Sequence, residues 1–233
     1  MIEDHKTDNL AVISGTLGQL GPVWCETLKD MGYRVEGLDL PSCDISQKED
    51  VEARKDEIVL CEGAPQVLVL SAAVDNPPGS AASFHGNLDR ILEVNLIGAC
   101  NVVEAFLPDM IENGGGVIIA IGSIQGFIGA DYRNYAEGWE KPVGYNLSKA
   151  ALMQYMRSLT VQYGRKGIRA CCIAFGPYDG GKLNKDFLDK FLRNVPLNRP
   201  ISKESCKAAL RFAVECPEFA GQTALVDAGY TAL

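Results

Sequence analysis

Short apolar runs alternate with longer segments of helical periodicity along most of the chain. The apolar runs at residues 10–14, 33–40, 67–71, 117–121, 168–174 and 225–227 predict buried strands. Helices are predicted at residues 18–31, 46–61, 87–110, 142–163, 184–193 and 203–214, the second opened by a capping box of Ser46 and Glu49. Near-continuous apolar strands that alternate with helices indicate an α/β fold with a doubly wound parallel sheet covered on both faces. Ligands of such folds bind at the carboxyl ends of the strands.

The composition is that of one ordinary globular domain over residues 1–233. The 233 residues are 47% hydrophobic and 22% charged, and no Pro-, Gly- or Ser-rich linker divides them. The net charge of −8 argues against a nucleic-acid partner. No apolar run reaches the roughly 18 residues that span a bilayer, so we expect no membrane partner. Because residues 1–9 are polar and acidic, we expect neither a secretory signal nor a transit peptide.

The eight cysteines show no CxxC spacing. Cys171 and Cys172 lie in an apolar run, where their side chains would point to opposite faces of a strand. We therefore expect small buried hydrophobes in a reducing, cytoplasmic compartment rather than disulfides. With His5 and His85 as the only histidines, the sequence argues against a histidine-rich metal site and against a Ser-His-Asp hydrolase.

A glycine-rich segment, SGTLGQLG, follows the first apolar run and precedes a helix. Gly15 and Gly18 would permit a tight turn and a close approach of the backbone to a pyrophosphate, and Gly21 would let the helix pack against the strand. The N-terminus of the helix would then face the anionic phosphates. We therefore predict a dinucleotide-binding loop formed by Gly15, Thr16, Gly18, Gln19 and Leu20.

Asp39, at the end of the second predicted strand, is the candidate for cofactor choice. A carboxylate there accepts hydrogen bonds from ribose hydroxyls and repels a 2′-phosphate, which favours NAD over NADP. The alternative is that Asp39 only ends a strand before Pro41. Asp44, beside Ile45, is a candidate for the adenine edge, or it only stabilises the turn before the next helix.

Tyr145 and Lys149 lie four residues apart in a predicted helix, so they share one face. A phenol normally titrates near pH ~10, and a neighbouring cation lowers its pKa. Tyr145 is therefore a candidate general acid or base. Taken alone, the spacing fits an ordinary amphipathic helix equally well.

Over almost its whole length the chain resembles the short-chain dehydrogenase/reductase family. The matching segments are SGTLGQLG, CDIS, VLVLSAAV, LEVNLIGA, IIAIGSIQGF, YNLSK, RACCIAFGP and GQTALVDAGY. The resemblance implies a Rossmann fold of about seven strands and an Asn-Ser-Tyr-Lys tetrad. The matching tetrad residues are Asn95, Ser123, Tyr145 and Lys149.

In the roles that the resemblance implies, Ser123 bonds the substrate oxygen and Tyr145 exchanges a proton with it. Lys149 lowers the pKa of Tyr145 and holds the nicotinamide ribose, while Asn95 orders a water beside Lys149. Alternatively, Asn95 bonds only backbone and Ser123 is a loop hydroxyl. Further cofactor contacts are expected at Ile45, Ser71, Ala72, Ala73, Gly176 and Pro177. A homodimer or homotetramer through the helices of Asn95 and Tyr145 is implied as well.

Four segments depart from the family pattern. The glycine spacing is GxxGxxG, as in the larger nucleotide-sugar members. The usual NNAG reads Leu70-Ser71-Ala72-Ala73, which removes amide partners that brace the central strands, and the usual Pro-Gly reads Phe175-Gly176-Pro177. Tyr145 follows Ser123 by 22 positions. The resemblance implies about a dozen positions between these two residues in the short members of the family.

The added residues, 129–141, mix aromatic and charged side chains, which suits a polar, ring-bearing substrate. In this they are similar to family members that act on bacterial surface sugars and flagellin glycans. A subunit contact or an exposed loop is an equal alternative. Residues 178–200 match the family's substrate loop, with Gly180 and Gly181 as its hinge.

The sequence therefore predicts an NAD-dependent oxidoreductase, with NADP the less favoured cofactor. Its substrate would be a small polar molecule with a carbonyl or secondary alcohol, such as a sugar derivative. A nucleotide-sugar epimerase or dehydratase is the alternative within the superfamily. A non-catalytic dinucleotide-binding regulatory subunit is the alternative of another class.

Overall fold

The apolar runs form one parallel sheet in the computed structural model, which describes residues 9–75, 83–181 and 183–232. Within these residues the sheet has six strands in the order β2–β1–β3–β4–β5–β6. Their bounds are β1 Leu10–Ser14, β2 Arg34–Leu38, β3 Val67–Leu70, β4 Gly116–Ser123, β5 Ile168–Phe175 and β6 Thr223–Val226. The predicted doubly wound parallel sheet is confirmed, and the strand number is close to the expected seven. His5 lies outside the described residues.

Seven α-helices, counted over the same residues, connect or follow the strands. They are α1 Gly21–Asp30, α2 Lys48–Glu62, α3 Leu88–Leu92, α4 Ala99–Glu112, α5 Val143–Tyr163, α6 Lys185–Leu192 and α7 Lys203–Glu215. The helix predicted at residues 87–110 is a composite, because a π-helical stretch, Glu93–Gly98, joins α3 to α4. Such π-helical turns occur often at functional sites.

The sheet separates two layers of helices, each with its own apolar core. Leu10 and Val12 point to the side of α2, α4 and α5, whereas Ala11 and Ile13 point to the side of α1 and α7. This alternation follows from the two-residue period of a strand. Cys171 and Cys172 lie in different cores, as predicted. All eight cysteines are free thiols.

One helical stretch of the described residues is long and apolar enough to span a bilayer by length and composition alone. This stretch, Leu88–Glu112, has half of its apolar window buried inside the protein. Val102, Phe106 and Met110 are completely buried in the core that α4 forms with the sheet. The apolar character of the stretch is therefore explained by packing in the core.

The predicted capping box at the start of α2 is wrong. The helix begins at Lys48, and the residue before it, Gln47, caps it without a side-chain hydrogen bond. The Ser46 hydroxyl instead donates to Asp44 Oδ1 at 2.7 Å. Residues 39–47 form turns rather than a strand, so the chain passes from β2 into α2 along the edge where ligands are expected.

Ser14, the last residue of β1, holds the end of this strand to the residues that follow β3. Ser14 Oγ accepts hydrogen bonds from the amides of Ser71 at 3.1 Å and Ala72 at 3.3 Å. Ser71 Oγ accepts one from Trp24 Nε1 at 2.9 Å. The two bonds that Ser14 accepts brace this junction. In the family pattern the asparagine side chains of NNAG, which this sequence lacks, brace the central strands here.

Ser14→Ala should therefore destabilise the protein by about 1–3 kcal/mol, because two buried amides lose their side-chain acceptor. Urea denaturation followed by circular dichroism measures the change in the free energy of unfolding. The matched control is Ser158→Ala, whose exposed hydroxyl donates to Gln154 O within α5. Equal loss in both variants would contradict the bracing role of Ser14.

Candidate functional site

A cleft of about 860 Å³ lies across the carboxyl ends of the strands. Its size is in the range of cofactor and small-molecule sites. Most of the residues predicted from the sequence line it: Gly15, Gly18, Gln19, Leu20, Asp39, Asp44, Ile45, Ser71, Ala72, Ala73, Ser123, Tyr145, Lys149, Gly176 and Pro177. Thr16 and Asn95 are not among the lining residues. The structure therefore brings the predicted dinucleotide loop and three of the four tetrad residues to one cleft.

The glycine loop has no room for side chains at two positions. Gly15 has a φ of +80°, and a Cβ there would lie 2.7 Å from the backbone of Ala72. A Cβ on Gly21 would lie 2.2 Å from the carbonyl oxygen of Thr16. Thr16 itself packs against β2, where a Cβ on Gly37 would meet Thr16 Oγ1 at 2.9 Å. A turn that has no side chain at these two positions and leads into the N-terminus of α1 fits a pyrophosphate group.

Asp39 closes the loop from the side of β2. Its Oδ2 accepts a hydrogen bond from the amide of Leu17 at 2.7 Å, and its Oδ1 accepts one from the amide of Leu40 at 2.9 Å. The carboxylate thus holds the glycine loop while it lines the cleft. Two acceptor oxygens retain lone pairs for further donors such as ribose hydroxyls.

Asp44 stabilises the turn before α2, which was one of its two predicted roles. Its Oδ1 accepts hydrogen bonds from the amide of Ser46 at 3.0 Å and from the hydroxyl of Ser46 at 2.7 Å. Arg90 Nη2 lies 3.5 Å from Asp44 Oδ2. The Ser46 hydroxyl is the main reason that the pKa of Asp44 lies below its usual value. Contact with an adenine edge stays a prediction.

Ser123 and Tyr145 form the polar centre of the cleft. Ser123 is the last residue of β4, and Tyr145 lies in the first turn of α5. Burial raises the pKa of Tyr145 to about 12, and the nearby Ser123 hydroxyl, which lowers that pKa, is the smaller effect. The negative charge of Asp75 acts in the same direction as burial. The predicted lowering of the Tyr145 pKa by Lys149 is therefore wrong for this structure.

Lys149 is buried behind Tyr145. Its Nζ donates to the carbonyl oxygen of Ile121 at 2.8 Å and lies 5.6 Å from the centre of the Tyr145 ring. Burial lowers the pKa of Lys149 to about 8, against the opposing influence of Cys172 and Asp75. The ammonium and neutral forms of Lys149 are thus close in free energy near neutral pH.

Asn95 bonds backbone, which was the alternative to ordering a water beside Lys149. Its Oδ1 accepts from the amide of Val74 at 2.7 Å, and its Nδ2 donates to the carbonyl of Val74 at 2.9 Å. The same Nδ2 donates to Ser148 Oγ at 3.2 Å. Asn95 therefore fixes the segment that follows β3 against α5, and both of its N–H donors are used.

Sequence reasoning missed an ion pair beside Tyr145. Lys141 Nζ forms a close ion pair with Asp75 Oδ2 and lies 4.3 Å from the centre of the Tyr145 ring. Both residues line the cleft. Lys141 precedes Tyr145 by the same four positions that separate Tyr145 from Lys149, and this spacing was the available signal.

The added residues 129–141 form one wall of the cleft. The ring of Tyr135 stacks on Trp139 at 4.4 Å and lies 5.1 Å from Phe187 of α6. Phe191, one turn further along α6, stacks on Tyr230 at 4.3 Å. Asp131, Asn134, Tyr135, Trp139 and Lys141 line the cleft. Of the predicted alternatives for this segment, the structure supports a contribution to the binding site.

The predicted substrate loop, of which residues 178–181 and 183–200 are described, touches the glycine loop at Gly180. Tyr178 pairs with Ile201 in an isolated bridge, and α6 follows. A Cβ on Gly180 would lie 2.7 Å from Gln19 Nε2, so the two loops are in contact. Lys182 lies outside the described residues, and the hinge at Gly180 and Gly181 stays a prediction.

Comparison with known proteins matches residues 26–231 to the family described as Enoyl-(Acyl carrier protein) reductase. A 3-oxoacyl-(acyl-carrier-protein) reductase of Chlamydia trachomatis is 28% identical over 222 residues, covering 93% of this chain and 85% of the relative. A short-chain dehydrogenase of Leptospira borgpetersenii, solved with bound NAD+, superposes with a TM-score of 0.86 at 24% identity, covering 96% of this chain and 93% of that one. A gluconate 5-dehydrogenase of Burkholderia cenocepacia, solved with NADP and tartrate, gives 0.79 at 21% identity, covering 97% and 96%. These structures confirm the predicted Rossmann fold.

NADH should bind more weakly as the pH rises through about 8, because burial sets the pKa of Lys149 there and its ammonium then loses a proton. A neutral amine attracts an anionic dinucleotide less, and we expect a loss of about tenfold between pH 7 and pH 9.5. Fluorescence titration of NADH measures the dissociation constant. Lys149→Met is the control and should lack this pH step. A flat profile in the unaltered protein would refute the assignment.

Proposed function

Because the chain belongs to the short-chain dehydrogenase/reductase family, we propose that it is an NAD-dependent oxidoreductase. It interconverts a secondary alcohol and a carbonyl on a small polar substrate such as a sugar derivative. The supporting observation is that Ser123, Tyr145 and Lys149 line the same cleft as the glycine loop. When a nicotinamide dinucleotide is bound, it supplies the hydride donor or acceptor for this chemistry.

The residues of this chain that would hold the dinucleotide lie along the cleft in the order expected for its parts. The Gly15 turn and the N-terminus of α1 would hold the pyrophosphate, and Asp39 would accept the ribose hydroxyls of the adenosine half. Lys149 would donate to the ribose beside the nicotinamide. Ser71, Ala72 and Gly176 offer backbone at the centre of the cleft without large side chains.

Proton exchange is assigned to Tyr145. Since burial raises its pKa to about 12, Tyr145 is a neutral phenol at pH 7 and can donate a proton to a carbonyl oxygen. Ser123 donates a second hydrogen bond to that oxygen as its negative charge develops. In the reverse direction the phenolate form of Tyr145 would accept the proton of the substrate hydroxyl and become the neutral phenol.

The preference for NAD is proposed on the position of Asp39. A 2′-phosphate on the adenosine ribose would meet the Asp39 carboxylate, and the next residue, Leu40, offers no compensating cation. Both cofactors occur among the solved structures of similar fold, with NAD+ in one and NADP in another. Those structures do not decide the preference of this chain.

The polar substrate is proposed on the wall formed by residues 129–141. Its stacked Tyr135 and Trp139 offer apolar faces, and Asp75 and Lys141 offer polar groups beside them. This mixture suits the sugar-like substrates that the resemblance to surface-sugar and flagellin-glycan members suggests. Reduction of a 3-oxoacyl thioester is the second candidate, because the Chlamydia trachomatis relative bears that name.

The remaining alternatives are weaker. The GxxGxxG spacing still favours an epimerase or dehydratase, but the family match is to a reductase. A regulatory subunit without turnover was suggested by the absent asparagines of NNAG, whose bracing role Ser14 supplies here. We also propose a cytoplasmic location, which suits eight free thiols. A homodimer or homotetramer through α4 and α5 is supported by exposed Leu147 and Val161 on α5.

Tyr145→Phe should lower kcat by about 10³-fold while NADH binds within about twofold of the unaltered protein, because only the exchanged proton is removed. Steady-state absorbance of NADH and fluorescence titration measure the two quantities. Tyr132→Phe is the matched control, since Tyr132 is an exposed phenol in the wall formed by residues 129–141. Undiminished turnover in Tyr145→Phe would sink the catalytic assignment.

Asp39→Asn should improve NADPH binding by about tenfold and weaken NADH binding less, because the amide keeps an acceptor for Leu17 but removes the charge. In the unaltered protein NADH should bind much more tightly than NADPH. Isothermal calorimetry with both cofactors measures these affinities. Tighter binding of NADPH by the unaltered protein would overturn the proposed preference.

A further inference from the structure

The ion pair of Asp75 and Lys141 neither donates nor accepts the exchanged proton, although the charge of Asp75 adds to the rise in the pKa of Tyr145. Asp75 follows Val74, whose backbone Asn95 fixes through two hydrogen bonds. Lys141 is buried and lies over the Tyr145 ring at 4.3 Å. The pair is therefore held at a fixed position beside the ring of Tyr145.

The two partners of this pair differ in their exposure. The Lys141 side chain is 9% exposed, whereas the Asp75 side chain is 34% exposed. The ammonium is thus enclosed between Asp75 and the Tyr145 ring, and the carboxylate is the partner that a substrate can reach. An ionised carboxylate only accepts hydrogen bonds and retains lone pairs beside the one used by Lys141.

We propose that Asp75 is a specificity-determining residue that accepts a hydrogen bond from a donor group on the substrate, close to the reacting carbon. The donor is a hydroxyl or an ammonium group, and a substrate with a carboxylate at that position is rejected. This inference rests on the proposed oxidoreductase function and narrows its substrate class to polyols, hydroxy ketones or their amino derivatives.

The rejection of carboxylates follows from the charges around the site. An anionic group would have to displace Asp75 from Lys141, leaving one carboxylate without its cation in a largely enclosed place. Asp131, a carboxylate of residues 129–141 that also lines the cleft, is already paired with Arg133. A hydroxyl, by contrast, can bond Asp75 while the ion pair stays intact.

Three probes of equal chain length separate these substrate classes: D-sorbitol, D-glucamine and D-gluconate end in a hydroxyl, an ammonium and a carboxylate. Their binding to the Tyr145→Phe variant saturated with NAD+ is measured by isothermal calorimetry, which needs no turnover. We expect sorbitol or glucamine to bind at least about tenfold more tightly than gluconate. Tighter sorbitol binding identifies a hydroxyl, and tighter glucamine binding an ammonium. Equal or tighter gluconate binding, or no binding of any probe, would overturn the assignment.

The Asp75→Asn variant tests the role of Asp75 through the relative affinities for sorbitol and gluconate. Asparagine keeps the size of the side chain but removes the charge, so the ratio of sorbitol to gluconate affinity should fall by about tenfold. Glu104→Gln is the control, because it breaks the ion pair with Lys48 in which both side chains are more than half exposed. An unchanged ratio in Asp75→Asn would contradict the inference.

Turnover separates this inference from the proposed function. If NADH-linked turnover occurs with an acetoacetyl thioester or with 2-butanol but sorbitol and glucamine bind no more tightly than gluconate, the oxidoreductase function stands and the role of Asp75 is refuted. If the probes bind with the expected order but no alcohol or carbonyl is turned over, the donor-group site stands and the proposed function fails.

Discussion

The close approach of Gly15 to the backbone of Ala72 is the constraint on which the cleft depends. With a φ of +80° and no Cβ, Gly15 lets the chain leave β1 across the end of β3. Ser14 fixes that contact by accepting the amides of Ser71 and Ala72. The sheet order reverses between β1 and β3, so the crevice of this parallel sheet opens at this junction. A side chain at residue 15 would force the two strand ends apart.

Burial dominates the electrostatics of the reactive residues and drives both toward their neutral forms. It raises the pKa of Tyr145 to about 12 and lowers that of Lys149 to about 8. The free protein thus has a phenol ready to donate and an ammonium that is easily lost. An anionic dinucleotide beside Lys149 would favour the charged amine, because a neighbouring opposite charge offsets desolvation. Binding of the cofactor would in this way keep Lys149 in its charged form.

The sequence predicts the fold and most of the cleft because their signals are local. Apolar runs place the strands, and the glycines of one loop place the phosphate end of the cleft. The capping box at Ser46 failed because Asp44, two residues earlier, competes for the same hydroxyl. The pKa direction of Tyr145 was missed because a four-residue spacing reports proximity to a cation but not the depth of burial.

Contacts between distant segments were beyond the reach of periodicity and motifs. Asp75 and Lys141 are 66 positions apart and meet because Asn95, on a π-helical stretch, draws the segment after β3 toward α5. Asn95, which matches the Asn of the tetrad, therefore has a second role. By holding both backbone groups of Val74, Asn95 also sets the position of the Asp75 carboxylate relative to Tyr145. The proposed chemistry and the proposed substrate selection thus depend on the same positioning side chain, that of Asn95. A change at residue 95 would disturb both together.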